Sequence, residues 1–224
     1  MKDTRLDTKG TATRRAASGV GEIRRQAVME AALGEFSEKG YEGAGMRAIA
    51  ARAGMEPGHL TYYARSKEAL WRSVIQEFDA DLNGQLKRLD TENVNNMPAS
   101  EARIVLESVL QHFARKKRLT RLVMHELSVL SPRNEWIVRA VAEPVRRSLE
   151  PLLKSLQRRG LIRGSDPTLA YFGLVGSVIL YCGSHPEIRR ITARSGTRRA
   201  DPRALIEYLL DNLFIVRSVQ PTKD

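Results

Sequence analysis

Apolar positions recur at helical spacing along most of the chain. Val28, Ala32 and Phe36 follow one another every four residues, with Met29 and Leu33 beside them. They predict a helix from about Glu22 to Glu38, ended by Gly40. Two short helices are expected next, over Met46–Arg52 and Pro57–Tyr63, with Ile49, Ala50 and Ala53 inward on the first and Leu60 the buried anchor of the second. Ser66 is a good N-cap for a longer helix through Trp71, Val74, Ile75 and Phe78 to around Leu89.

Residues 90–100 read as a linker by composition. Ser100 then caps a helix whose broad apolar face carries Ala102, Val105, Leu106, Val109, Leu110 and Phe113. A basic junction at 115–118 leads to a helix over Leu119–Leu130, which Ser131-Pro132 breaks. The next runs from Asn134 to Arg159 with Gly160 as its stop, and Pro144 and Pro151 predict kinks or a split within it. Asp166-Pro167 and Asp201-Pro202 are start signals, an Asp cap with Pro in the first turn. They open helices to Cys182 and to about Val219, separated by a long basic connection over 183–200. No stretch alternates β-branched residues at strand spacing, so the expectation is an all-α chain of about nine helices.

The stretch from Met46 to Lys67 bears on function. Gly54 stands where a helix C-terminus needs positive φ, and Pro57 stands where a first helical position tolerates a missing N–H. Helix, short turn, helix is the arrangement whose second helix enters the DNA major groove. It is equally an αα-hairpin packed in a helical bundle, and this stretch alone leaves both readings open.

The flanks bear on that choice. Ala31-Ala32…Phe36…Gly40-Tyr41, Ile49-Ala50-x-x-Ala53-Gly54, Gly58-x-Leu60 and Lys67-Glu68-x-Leu70 stand in order over residues 22 to 72. As a block they resemble the N-terminal DNA-binding domain of the tetracycline-repressor (TetR) family of bacterial transcription regulators. The resemblance implies a three-helix helix-turn-helix domain over 21–68, and the polar, basic composition of residues 1–20 marks a disordered tail before it. A larger helical effector-binding and dimerisation domain would follow over 69–224. Residues at the start of a recognition helix face base edges, which selects Gly58, His59, Thr61 and Tyr62. Tyr63 and Lys67 lie where the family places phosphate contacts, and Arg47 suits phosphate or guanine. The plain alternative for Tyr62 or Tyr63 is core packing, with at least one of them outward. Arg14 and Arg15 suit a flexible arm on the duplex or a merely solvated terminus.

The chain departs from the family pattern at four places. Ala44-Gly45 replaces a capping Thr-Ser/Thr pair, at an expected cost of roughly 0.5–2 kcal/mol. Glu56 replaces a Ser N-cap, and Thr61 a common Tyr. Ala64 replaces a core Phe, a packing deficit of about 3 kcal/mol if nothing fills the space.

Charge adds less than its total suggests. The net charge is +11, which favours a polyanionic partner. Yet residues 1–72 hold 13 Lys/Arg against 9 Asp/Glu, so most of the surplus lies beyond the proposed reading domain. The lone Cys182 excludes an internal disulfide framework and fits a reducing cytoplasm. The N-terminus lacks the apolar run of a secretory signal. The longest apolar run, 169–182, is short of the roughly 20 residues a membrane span needs.

No catalytic chemistry is legible. His59, His112, His125 and His185 lack metal-ligand spacing, and there is no phosphate-cradling glycine loop or nucleophile elbow. The expectation is no enzyme, no metal and no cofactor. The family resemblance implies instead a small-molecule effector pocket and a two-fold interface of the last two long helices. Phe78, Phe113, Met124, His125, Trp136 and Tyr171 suit pocket lining, or else ordinary core. Gly173 and Ser177 allow close approach, and Leu205, Leu209 and Leu213 belong to a helix apolar over a wide arc, as a homodimer interface would need. The expected function is a repressor released from a pseudo-palindromic DNA operator by an effector. The alternative is a helical small-molecule-binding protein with weakened, non-specific DNA binding.

Overall fold

The computed structural model describes residues 8–87, 94–164, 166–184 and 201–215, with side chains from Val20 onward. The Arg14 and Arg15 side chains, the Phe78 side chain, His185 and most of the 183–200 connection lie outside this set. The described residues form an all-α chain in two compact units, within 1–76 and 77–224.

In the first unit α1 is Thr8–Gly43, α2 Met46–Arg52 and α3 Pro57–Tyr63. α1 reaches back past the expected start at Glu22. It takes in residues 8–20, which composition assigned to a tail. Gly40, at φ 69°, breaks its regular path. α4, Lys67–Leu86, opens with Ser66 Oγ accepting from the Ala69 N–H at 3.0 Å, the expected cap. Its first half belongs to this unit: Leu70, Trp71, Val74 and Ile75 are buried with Phe36, Ile49 and Leu60. The unit boundary therefore falls inside α4, beyond the residue 68 that motif reading suggested. Ala64 is itself buried, and aromatic volume comes from elsewhere. Tyr41 stacks on Phe36 at 6.1 Å and meets the Trp71 edge at 6.0 Å.

The turn between α2 and α3 follows its glycine. Gly54, at φ 68°, donates to Ala51 O at 3.1 Å and Met55 donates to Ala50 O at 3.0 Å, the paired bonds that satisfy the last carbonyls of α2. The N-terminal ends are poorer. Gly45 before α2 and Glu56 before α3 supply no side-chain cap.

The second unit contains α5 (Ala99–Arg115), α6 (Lys117–Leu127), α7 (Pro132–Ile137), α8 (Glu143–Arg158), α9 (Pro167–Tyr171), α10 (Ser177–Gly183) and α11 (Pro202–Leu213). α10 packs on α5, α6 and α11, and α8 on α9. Pro98, not Ser100, occupies the cap position of α5. α6 stops at Leu127 and leaves Leu130 99% exposed, because Asn134 Nδ2 takes up the Glu126 and Leu127 carbonyls. Ser131 caps α7 directly, so the helix starts before Asn134. Pro144 has no N–H for Ala140, and the wider π-helical segment Val138–Ala142 sits at that point between α7 and α8. Pro151 lies inside α8, which continues on both sides. Asp166 and Asp201 cap α9 and α11 as expected. A second π-helical segment, Phe172–Gly176, joins α9 to α10. α11 ends at Leu213, short of Val219, because Phe214 turns extended and bridges Ile162.

Candidate nucleic-acid interface

α3 buries one side chain only, Leu60 at 1% exposure. Gly58, His59, Thr61 and Tyr62 are all exposed. Tyr62 is 89% exposed and meets Tyr63 edge-on at 5.4 Å, while Tyr63 is half-buried. The four expected base-facing residues thus share one solvent face. At Gly58 an added Cβ would meet nothing within 4 Å, so the glycine keeps that face low. The Thr61 hydroxyl donates to Gly58 O at 2.7 Å, which leaves its methyl and oxygen lone pairs outward-capable.

The cations divide into paired and unpaired. Arg25 pairs with Glu22 at 3.1 Å, Lys39 with Glu35 at 2.6 Å and Arg72 with Glu68 at 2.6 Å. Arg52 holds Glu38 by two bonds, and Glu38 hydrogen bonding raises its pKa further. Lys67, expected on phosphate, is half-buried: its Nζ donates to Glu42 O at 3.2 Å and sits 4.6 Å over the Tyr41 ring. Arg47 is exposed at the start of α2 and has no salt-bridge partner among the described residues.

Arg24 stands outside the motif. It lies on the exposed side of α1 and walls a concavity of about 850 Å³ with Ala27, Met55, Glu56, His59 and Tyr62. Motif spacing singles out the two short helices, whereas the opposite wall comes from a helix over twenty residues upstream. The only available signal was a polar position on an amphipathic helix.

The remaining site expectations fall in the second unit. Phe113 and Tyr171 are buried, Met124 and Trp136 half-buried, and His125 exposed beside Glu126 at 3.8 Å. Met124 packs against Gly183, where a Cβ would come within 3.2 Å of its sulfur. Burial pushes the Tyr171 phenol up to about 12, and it donates to Ala142 O at 3.4 Å. Two concavities here, of about 260 and 440 Å³, are lined by other residues, around Arg147 and Pro151. Gly173 is exposed, and Ser177, Leu205, Leu209 and Leu213 are half-buried. Around them Leu169, Phe172, Leu180 and Tyr208 are 59–70% exposed. Among the described residues there is no cluster of three metal-ligating side chains, and no helix is long and apolar enough to cross a membrane.

Fold and surface together define a helix-turn-helix protein. Residues 28–74 match the model of the family described as bacterial regulatory proteins, tetR family. YttP of Bacillus subtilis (strain 168), named as a probable HTH-type transcriptional regulator, is 29% identical over 105 residues, 46% of this chain and 49% of YttP. RutR of Escherichia coli (strain K12), an HTH-type transcriptional regulator, is 39% identical over 54 residues, 24% of this chain and 26% of RutR. The matched stretches span about half of one relative and a quarter of the other. These relatives are regulators, not enzymes. In fold the chain is similar to HlyIIR, a hemolysin II transcriptional regulator, with TM-score 0.64 at 19% identity over 87% of this chain and 98% of that one. It is similar also to a tetR-family regulatory protein from Rhodococcus RHA1, with TM-score 0.64 at 19% identity over 85% and 97%.

Proposed function

We propose that the chain is a sequence-specific DNA-binding transcriptional regulator, a cytoplasmic homodimer that represses until a small-molecule effector releases it. The observation that carries the reading is α3, a helix with one buried anchor and its polar residues turned to solvent. Gly58, His59, Thr61 and Tyr62 meet base edges, with Arg47 and Tyr63 on the flanking backbone and Lys67 nearby. The exposed apolar run Leu169, Phe172, Gly173 and Leu180, beside Tyr208, supports a second copy as cover, with Ser177, Leu205, Leu209 and Leu213 at its margin. Two copies of α3 would then enter successive major grooves about 34–36 Å apart. Phe78, Phe113, Met124, His125, Trp136 and Tyr171 are the proposed effector lining. An effector that fits one arrangement of the dimer better shifts operator affinity by no more than that difference.

The deciding experiment is a titration of the purified protein against duplex DNA from upstream of its own gene, with excess random competitor, at two salt concentrations. Competitor-resistant binding by a dimer is expected. The missing side-chain caps of α2 and α3 favour a second reading, a helical ligand-binding protein whose DNA head has weakened. That reading predicts binding that competitor removes equally well at every sequence tried.

A further inference from the structure

We infer that Arg24 of α1 is a phosphate anchor for duplex DNA, outside the stretch 28–74 that the family model matches. The inference rests on the DNA-binding reading and extends it to a residue that neither the motif nor the comparisons assign.

The concavity between α1 and α3 is the first argument. Arg24 and Ala27 form one wall, and Met55, His59 and Tyr62 lie across from them. Its small Ala27 side leaves room for a backbone strand to enter beside the exposed Tyr62. The groove therefore adjoins the face of α3 that would meet base edges, where a DNA strand leaving the major groove must pass.

Charge pairing is the second. Most cations of this unit are committed: Arg25 to Glu22, Lys39 to Glu35, Arg52 to Glu38 and Arg72 to Glu68. Lys67 is held by Tyr41 and the Glu42 carbonyl. Arg24, one residue from a paired arginine, has no hydrogen-bond or ion-pair partner among the described residues. An exposed, uncommitted guanidinium presents a planar donor fork suited to a phosphate at no cost of breaking an existing pair. Glu56 lies on the same rim and repels a phosphate. That repulsion sets the seat of the strand toward the α1 wall, next to Arg24, and adds to its load.

The test is a salt titration of the full chain with a random-sequence duplex of fixed length, comparing wild type, Arg24→Ala, Arg24→Lys and Arg72→Ala. A phosphate contact contributes about 0.9 to the slope of log affinity against log salt. Arg24→Ala is expected to lower the slope by about one and to bind several-fold more weakly at low salt. From about 50 to about 200 mM salt its affinity falls some three- to fourfold less than that of wild type. Arg24→Lys keeps most of the slope. Arg72→Ala removes the same charge from a paired site on α4 and retains the wild-type slope. Equal slopes for Arg24→Ala and wild type, or equal losses in Arg24→Ala and Arg72→Ala, would overturn the inference while the DNA-binding reading stands. A wild-type protein that shows no salt-dependent duplex binding overturns both. Arg24 is exposed, so unchanged circular dichroism melts are expected for every variant and keep the comparison clean.

Discussion

Arg52 meets the Glu38 carboxylate with two bonds, Nη1 to Oε2 at 3.0 Å and Nη2 to Oε1 at 2.8 Å. The fork fastens α2, and with it the turn into α3, to α1. Gly34 makes room for it, since a Cβ there would lie 3.0 Å from the guanidinium carbon. The buried Glu35 carboxylate sits on the far side, 3.6 Å from Arg52.

Both partners of the fork are nearly half exposed, and pairs of that kind add little to global stability. Arg52→Met should move the thermal midpoint by no more than a few degrees. It should nevertheless speed amide exchange across Met46–Tyr63, because it frees the helix pair locally. Exchange that stays as slow as in wild type would show that apolar packing alone holds α2.

Gly54 and Gly58 separate stability from recognition. Gly54 has φ 68°, so Gly54→Ala forces a left-handed alanine and should cost about 1–2 kcal/mol in urea unfolding. Gly58 has open space for a Cβ within α3, so Gly58→Ala should stabilise by about 0.5–1 kcal/mol. The same added methyl raises the reading face and should weaken operator binding. Unimpaired operator affinity in a stabilised Gly58→Ala protein would remove the close-approach role.

Tyr62 is 89% exposed, so Tyr62→Ala should leave stability within about 0.5 kcal/mol. If the ring lies at the DNA, operator binding should weaken by about 1–3 kcal/mol. Equal losses on operator and random duplex would mark a backbone contact, and a loss confined to the operator a base contact.

In the second unit, Arg146 bridges Glu143 at 2.8 Å and Glu150 at 2.6 Å. Hydrogen bonds from Arg146 and then Arg147 hold the Glu143 carboxyl down at about 2, against an ordinary 4.5. A depressed carboxyl stabilises the fold above its unfolded value and loses that stabilisation as pH falls through the folded one. Stability should therefore decline as pH drops from about 4.5 to 2, and Glu143→Gln should flatten that part of an acid-unfolding curve. Identical curves would show that the network does not act on stability.

Much of the architecture is local and was legible in the chain. Asp166, Asp201 and Ser66 cap helices because side-chain oxygens reach N–H groups two or three residues on. Gly54 closes α2 because only glycine takes that φ cheaply. The outward face of α3 followed from a single apolar residue among polar ones. Errors came where distant groups compete for the backbone: Asn134 draws off the end of α6, and Ile162 captures the end of α11.

Spacing along the chain is enough to specify helices, turns and the exposed side of α3, since those depend on neighbours within about four residues. Which cations remain available does not. Lys67 is drawn to Tyr41 and Glu42 O, and Arg24 faces α3 with its charge unspent, because folding brings together residues some twenty to forty positions apart. Charge counted along the chain is blind to that pairing. Only the packing of α1 against α2 and α3 decided which side chains were consumed in holding the unit together and which were left exposed and unpaired.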